Sequence, residues 1–397
     1  MSNRNYFIDL QMSKLSPEGQ EALAAQVANI DYTMFDALDH REAADKGVIS
    51  PIGAVSIKEI AQREAEFTAI GLDAVRACKV GAVLLAGGQG TRLGADGPKG
   101  SYNVGVTRDL YIFECLINNL QDVVKAAGVP VPLYIMTSTV NNDQTVSFFE
   151  EHDYFGYPRD YVKFFIQEMV PAVDYEGRIL MQSENELVLS PNGNGGWYSS
   201  MAKTGVLDDV HARGIEWLNV FAVDNVLQRM ADPTFVGATI ASGCDSGAKV
   251  VRKAAPGEKV GVLCREDGKP SIIEYYEMSE EMANLRGEDG ELTYGFGVIL
   301  NYLFSEKKLE EIMNAHMPLH VVEKKIPYMG ENGVHHAPES PNGFKFETLV
   351  LDMVHMMDDC LAYEVAREKE FAPIKNLHGV DSVDSARELL QKNGVIL

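Results

Sequence analysis

The chain has 397 residues, 46% of them hydrophobic and 23% charged, enough for one large core with a smaller unit or for two comparable domains. Thirty-five Lys and Arg face 58 Asp and Glu, a net charge of −23, so the surface repels nucleic acid and anionic membranes, and a phosphate ligand needs a local cationic site. Five scattered cysteines without a CxxC pair, a polar start and the lack of a membrane-length apolar run lead to the expectation of a soluble, cytoplasmic protein with reduced thiols.

Residues 1–76 read as a helical N-terminal extension. In "SIKEIAQREAEFTAIGLDAVR", Ser56 and Glu59 form a capping-box pattern, and Ile57, Ile60, Ala61, Phe67 and Ile70 recur near helical spacing. The period then changes, because "KVGAVLLAG" is a short continuous apolar run that suits a buried strand. Leu116, Leu120, Val123 and Val124 mark a helix that Gly128 is placed to end. The strand patterns "VPLYIMTS", "VKFFIQE" and "IEWLNVFAVDN" follow, with helix "DQTVSFFEEH" between the first two. Such alternation predicts an α/β fold with a mixed, mostly parallel sheet flanked by helices. After about residue 245, "AKVVRKA" and "VGVLCREDGKPSIIEYYEM" predict a small antiparallel insertion with an Asp-Gly turn. A further strand is expected in "HVVEKKIPYM" and a helix in "FETLVLDMVHMM".

Between the first strand and its helix lies "LLAGGQGTRLGADGPKG", Leu84 to Gly100, in which six of seventeen residues are glycine. Backbone that bare can present N–H groups to an anion. The stretch lacks the Gly-Lys-Ser/Thr of a P-loop, and Gly88, Gly90 and Gly94 miss the GxGxxG spacing by one residue. A nucleotidyltransferase loop fits better. Its amides wrap a triphosphate, and Arg92 and Lys99, one on each arm, steady the pyrophosphate as it gains charge.

At these residues the chain resembles the eukaryotic-type UDP-sugar pyrophosphorylases, the family of UDP-N-acetylglucosamine pyrophosphorylases above all. The resemblance runs in order from about Gly71 to Leu390. It takes in "QEMVPAVDYEGRIL", "SPNGNGGWY", "FAVDNVLQRMADPTFVG", "GAKVVRKAAPGEKVGVLCREDGKPSIIEYYE", "KKIPY", "PNGFKFE" and "EFAPIKNL". It implies a GT-A-like, Rossmann-related sheet and a catalytic domain over 77–376, followed by a short segment, 377–397, in place of the family's C-terminal β domain. The implied reaction joins UTP to a sugar 1-phosphate with Mg²⁺, forming a UDP-sugar such as UDP-N-acetylglucosamine and pyrophosphate. Glucose or galactose 1-phosphate is the alternative substrate, and a non-catalytic UDP-sugar-binding protein the alternative class.

The resemblance assigns backbone contacts with nucleotide to Gly87, Gly88 and Gly90, and the β and γ phosphates to Arg92 and Lys99. Gln167 and the backbone of Gly193 would read uracil; on pattern alone they are a strand end and a turn glycine. Asn194, Gly261, Glu274 and Tyr275 would contact the sugar. Lys345 and Lys375 match lysines near the phosphates. Asp224 follows the strand "LNVFAV", where a carboxylate reaches the crevice at the carboxyl ends of parallel strands, and it is the expected Mg²⁺ ligand. Capping of the next helix is its plain alternative. The family's "FNAGN" stands here as "YGFGV", Tyr294 to Val298, so the nucleotide half of the site looks intact and the sugar half altered. His316 and His320 are four apart, but Pro318 between them argues against a helical zinc pair.

Overall fold

The computed structural model describes residues 4–38, 47–314 and 317–397; His316 lies outside these. The chain divides into two compact units, and they do not follow the consecutive segments expected from sequence. One gathers Met1–Asp45, Gln167–Gly196 and Met317–Val350. The other gathers Lys46–Ile166, Trp197–His316 and Leu351–Leu397.

The larger unit is built on an eleven-stranded sheet. Its strands are β1 (Ile49–Pro51), β2 (Ala54–Val55), β3 (Val80–Leu85), β4 (Leu133–Thr137), β5 (Val162–Ile166), β6 (Trp217–Ala222), β7 (Ser246–Arg252), β8 (Val262–Glu266), β9 (Lys269–Ile273), β10 (Phe296–Ser305) and β11 (Cys360–Glu364). The order is β2-β11-β7-β10-β6-β3-β4-β5, with β1, β8 and β9 off this path. Neighbours are parallel except at β10, which runs antiparallel to both β6 and β7. This is the mixed, mostly parallel sheet expected. The continuous apolar runs explain it: β3 and β4 are buried at every residue, as strands covered on both faces must be.

The helices follow their sequence signals. Ser56 and Glu59 close the capping box of helix Ile57–Arg76. Gly128 ends helix Ile112–Ala127 in the left-handed conformation, at φ 79°. The insertion is a β8–β9 hairpin turning at Asp267–Gly268, and β1 pairs along its other edge. Two short strands, β1 and β2, interrupt the N-terminal stretch read as helical. At two or three residues each they are too short for periodicity to register.

The smaller unit has a three-stranded antiparallel sheet of Val173–Asp174, His320–Lys324 and Gly343–Glu347. Helices Tyr6–Met12 and Pro17–Ala28 belong to it, and its core includes Phe7, Leu23, Phe35, Phe344 and Phe346. The N-terminal extension is thus divided: these helices lie in the smaller unit, helix Ile57–Arg76 in the larger.

Candidate active site

Strands β3 and β6 are parallel neighbours, with Leu85 paired to Ala222. Whatever follows them emerges side by side at the carboxyl end of the sheet, where open α/β sheets bind ligands. The glycine loop follows β3 and Asp224 follows β6, and Val223 N–H donates to the Leu85 carbonyl between them at 3.1 Å.

The loop folds back on itself. Gly90 N–H donates to the Gly97 carbonyl at 2.8 Å and Lys99 N–H to the Gly88 carbonyl at 3.1 Å. Some of the glycines are therefore structural: Gly94 and Gly97 have φ of 69° and 150°, and a Cβ on Gly100 would sit 2.2 Å from the Phe113 ring. Gly88 is different. A Cβ there meets nothing within 4 Å, so the fold itself does not require the bare backbone.

The turn brings the two expected cations to unequal places. Arg92 is exposed, whereas the Lys99 side chain is only 17% exposed, with Nζ 3.9 Å from Asp224 Oδ2. Burial lowers the Lys99 ammonium below the ordinary lysine range; Asp224 opposes this, and Lys375 and Arg92 add to it. Lys375 and Arg92 thus stand near enough for their charges to act on it. Lys375 donates to Asp381 Oδ2 at 3.0 Å, so its ammonium already has a carboxylate partner.

Asp224 is the one expected metal ligand. A single carboxylate at the carboxyl ends of parallel strands is a donor set that fits Mg²⁺, which takes one or two carboxylates and completes its shell with water and phosphate oxygens. The His211, Glu306 and Glu310 cluster lies on other elements, helices Leu207–Arg213 and Glu306–Asn314, and is ion-paired within itself.

On the sugar side, the Gly261 carbonyl accepts from Val298 N–H at 2.9 Å. A Cβ on Gly261 would come within 3.6 Å of Glu274 Oε1 and 3.4 Å of Val298 Cγ2, so the three expected or altered positions adjoin. Tyr275 is exposed, its ring 6.0 Å from Lys259 Nζ. Tyr294 is buried, and a Cβ on Gly295 would lie 2.7 Å from the Leu292 carbonyl oxygen.

In the smaller unit, buried Gln167 donates through Nε2 to the Gly193 carbonyl at 2.6 Å. Gly193 has φ 84°, and a Cβ would fall 2.2 Å from the Thr348 carbonyl oxygen. The resemblance assigns both to uracil, and the fold joins them by a direct hydrogen bond. Asn194 Oδ1 accepts from Val350 N–H at 3.0 Å, a structural bond at a position assigned to sugar. Lys345 lies half-buried on strand Gly343–Glu347.

Sequence reasoning missed the groups that hold the loops. Asn141 Nδ2 donates to the Ala86 and Gly88 carbonyls, at 2.9 and 3.3 Å, pinning the start of the glycine turn. Asn119 Nδ2 donates to the Val226 and Gln228 carbonyls beyond Asp224. An asparagine carries no pattern in one sequence that separates such a staple from a turn residue.

Fold and site together define a nucleotidyltransferase. The chain matches the family model described as UTP–glucose-1-phosphate uridylyltransferase over residues 36–395, and it belongs to that family. It is 38% identical over 390 residues to the mouse protein named UDP-N-acetylhexosamine pyrophosphorylase-like protein 1, an alignment covering 91% of this chain and 76% of the mouse one. It is 36% identical over 380 residues to the UDP-N-acetylglucosamine pyrophosphorylase of Saccharomyces cerevisiae, covering 92% and 77%. Among solved structures, the Trypanosoma brucei uridine diphosphate N-acetylglucosamine pyrophosphorylase in complex with inhibitor superposes with TM-score 0.85 at 28% identity, over 98% of this chain and 82% of that one. Among the described residues, no helix is long and apolar enough to cross a membrane.

Proposed function

We propose that this chain transfers uridylyl from UTP to a sugar 1-phosphate, with N-acetylglucosamine 1-phosphate as the main acceptor. The observation that carries the reading is the Lys99–Asp224 pair at the joined carboxyl ends of β3 and β6, framed by the glycine loop. An oxygen of the sugar phosphate attacks the α phosphorus of UTP, and the bond from that phosphorus to the oxygen bridging to the β phosphate breaks. A sugar phosphate is already ionised at neutral pH, so no general base is needed. Catalysis is then alignment and charge neutralisation, and alignment alone can supply roughly 7–11 kcal/mol. Lys99 and Arg92 face the charge that gathers on pyrophosphate, with Lys375 as a further phosphate partner. Asp224 would hold Mg²⁺, which when bound adds positive charge to the triphosphate.

The Gln167 amide is assigned to the base. With Nε2 committed to Gly193, its Oε1 is the acceptor for the uracil N3–H, and the Gly193 N–H can donate to a uracil carbonyl. Gly261, Glu274 and Tyr275 are assigned to the sugar. Gly295 and Val298 offer no side-chain donors there, which favours a second reading in which glucose or galactose 1-phosphate is also accepted. Five free cysteines fit a reducing, cytoplasmic setting.

A coupled assay of pyrophosphate release, with UTP, Mg²⁺ and N-acetylglucosamine, N-acetylgalactosamine, glucose and galactose 1-phosphates in parallel, tests the reading. Release with the N-acetylated sugars supports it. Release with the hexoses alone moves the assignment to the second reading, and UTP binding without release leaves only a binding protein.

A further inference from the structure

Strand β7 carries a lysine where an apolar residue would be expected. Lys249 is fully buried, and its ammonium donates to Glu370 Oε2 at 2.6 Å, Asp232 Oδ2 at 3.0 Å and the Arg229 carbonyl at 3.2 Å, with the Phe235 ring 5.5 Å away. A charge held this deep is costly unless every donor is satisfied, and here each is. Burial resists ionisation of both carboxyls. At Asp232 Lys249 and Arg229 prevail and hold it low, whereas at Glu370 burial and Asp232 prevail and raise it.

The partners of Lys249 lie at the ends of two segments. Arg229 and Asp232 end the loop that begins at Asp224; Glu370 begins the stretch that leads to Lys375. The same two segments are laced further along. Asn225 Nδ2 donates to the Glu370 carbonyl at 2.7 Å, Ala372 N–H to Asn225 Oδ1 at 2.9 Å and Ile374 N–H to the Asp224 carbonyl at 2.8 Å. Lys249 is the charged anchor of this lacing and sits at its far end from the phosphate-facing groups.

We propose that Lys249 is a positioning residue, which fixes Asp224 and Lys375 against Lys99 by tying together the two segments that carry them. Its catalytic consequence rests on the uridylyltransferase reading; its structural consequence does not. A residue that only stabilises the fold would move the melting temperature alone. A positioning residue must also move local opening and turnover.

Glu370→Leu is the informative variant, because it cuts the tie while leaving Lys249 paired with Asp232, and Glu370→Gln keeps an acceptor for Lys249. Hydrogen exchange should read at least about tenfold faster exchange at the Ala372 and Ile374 amides in Glu370→Leu than in the wild type. Turnover should fall about tenfold, with the KM for UTP changed less than about threefold and the Mg²⁺ concentration for half-activation raised. Glu370→Gln should restore both readouts, and Lys249→Met in the Glu370→Gln background should lose them again. The proposal is overturned if exchange at those amides in Glu370→Leu matches the wild type, or if exchange rises while turnover stays within about twofold. A wild type that releases no pyrophosphate sinks the assigned reaction, and exchange still decides the role of Lys249.

Discussion

Lys99 Nζ stands 3.9 Å from Asp224 Oδ2, a cation and a carboxylate delivered by two different parallel strands to one point. The lysine is held there against a cost, because its side chain is mostly buried and both Lys375 and Arg92 oppose its charge. Lys99→Met should therefore raise stability while it removes catalysis. Turnover should drop about 10²–10³-fold, the loss expected when one group facing developing charge is removed. The sign of the stability change follows from the direction of the shift. The folded pKa lies below the unfolded one, so the penalty is full while the lysine is charged and fades as pH rises through the folded pKa. Thermal melts of both proteins at neutral and alkaline pH check this: the variant should melt higher at neutral pH, by a margin that narrows as the solution is made alkaline.

The same depressed ammonium predicts an early alkaline limb. In the free enzyme, kcat/KM for UTP should start to fall below the ordinary lysine range as Lys99 loses its proton. Lys99→Arg keeps its charge throughout, so in whatever activity it retains, that limb should move to higher pH. A pH profile of kcat/KM for both proteins decides the point; coincident alkaline limbs would assign the titration elsewhere.

Gly193 links base recognition to backbone shape. Its φ of 84° and the Thr348 carbonyl 2.2 Å from a would-be Cβ leave no room for alanine without a shift. Gly193→Ala should cost about 1–3 kcal/mol of stability. It should also displace the carbonyl that Gln167 holds, lowering discrimination of UTP from CTP. Urea unfolding and kcat/KM for the two nucleotides measure the two effects, and Gln167→Ala should reproduce the loss of selectivity with less change in stability.

The strand-and-helix frame was legible because its signals are local. Apolar runs gave β3 to β6, and Ser56 with Glu59 gave a helix start that the structure shows as a closed box. The glycine loop was legible as a turn between β3 and its helix, in which Gly94, Gly97 and Gly100 answer to turn geometry and packing. What stayed hidden depends on partners distant in sequence. Nothing near Lys249 announces that Asp232 and Glu370 close around it. The division into two units was hidden for the same reason, since each gathers three separated stretches.

Gly295 shows how a departure from a family motif can be fixed by its surroundings. A Cβ there would lie 2.7 Å from the carbonyl oxygen of Leu292, a residue bridged to Arg286. Restoring asparagine by Gly295→Asn should therefore lower the melting temperature and give no gain in turnover with N-acetylglucosamine 1-phosphate, because backbone cannot yield as a flexible side chain would. A melt and the pyrophosphate-release assay with that substrate test this; a rise in kcat/KM without loss of stability would mean the backbone there can move aside.

Thiol chemistry offers a test of the core itself. Burial pushes the Cys115 and Cys360 thiols up to about 12, so neither carries appreciable thiolate near neutral pH. Cys264 is also buried, whereas Cys78 and Cys244 are partly exposed. Mild alkylation of the native protein followed by peptide mass spectrometry should label Cys78 and Cys244 and spare the other three. All five should react once the chain is unfolded in denaturant. Native labelling of Cys360 at a rate matching Cys244 would mean that β11 does not hold its place in the sheet, and with it the parallel pairing to β7 that seats Lys249.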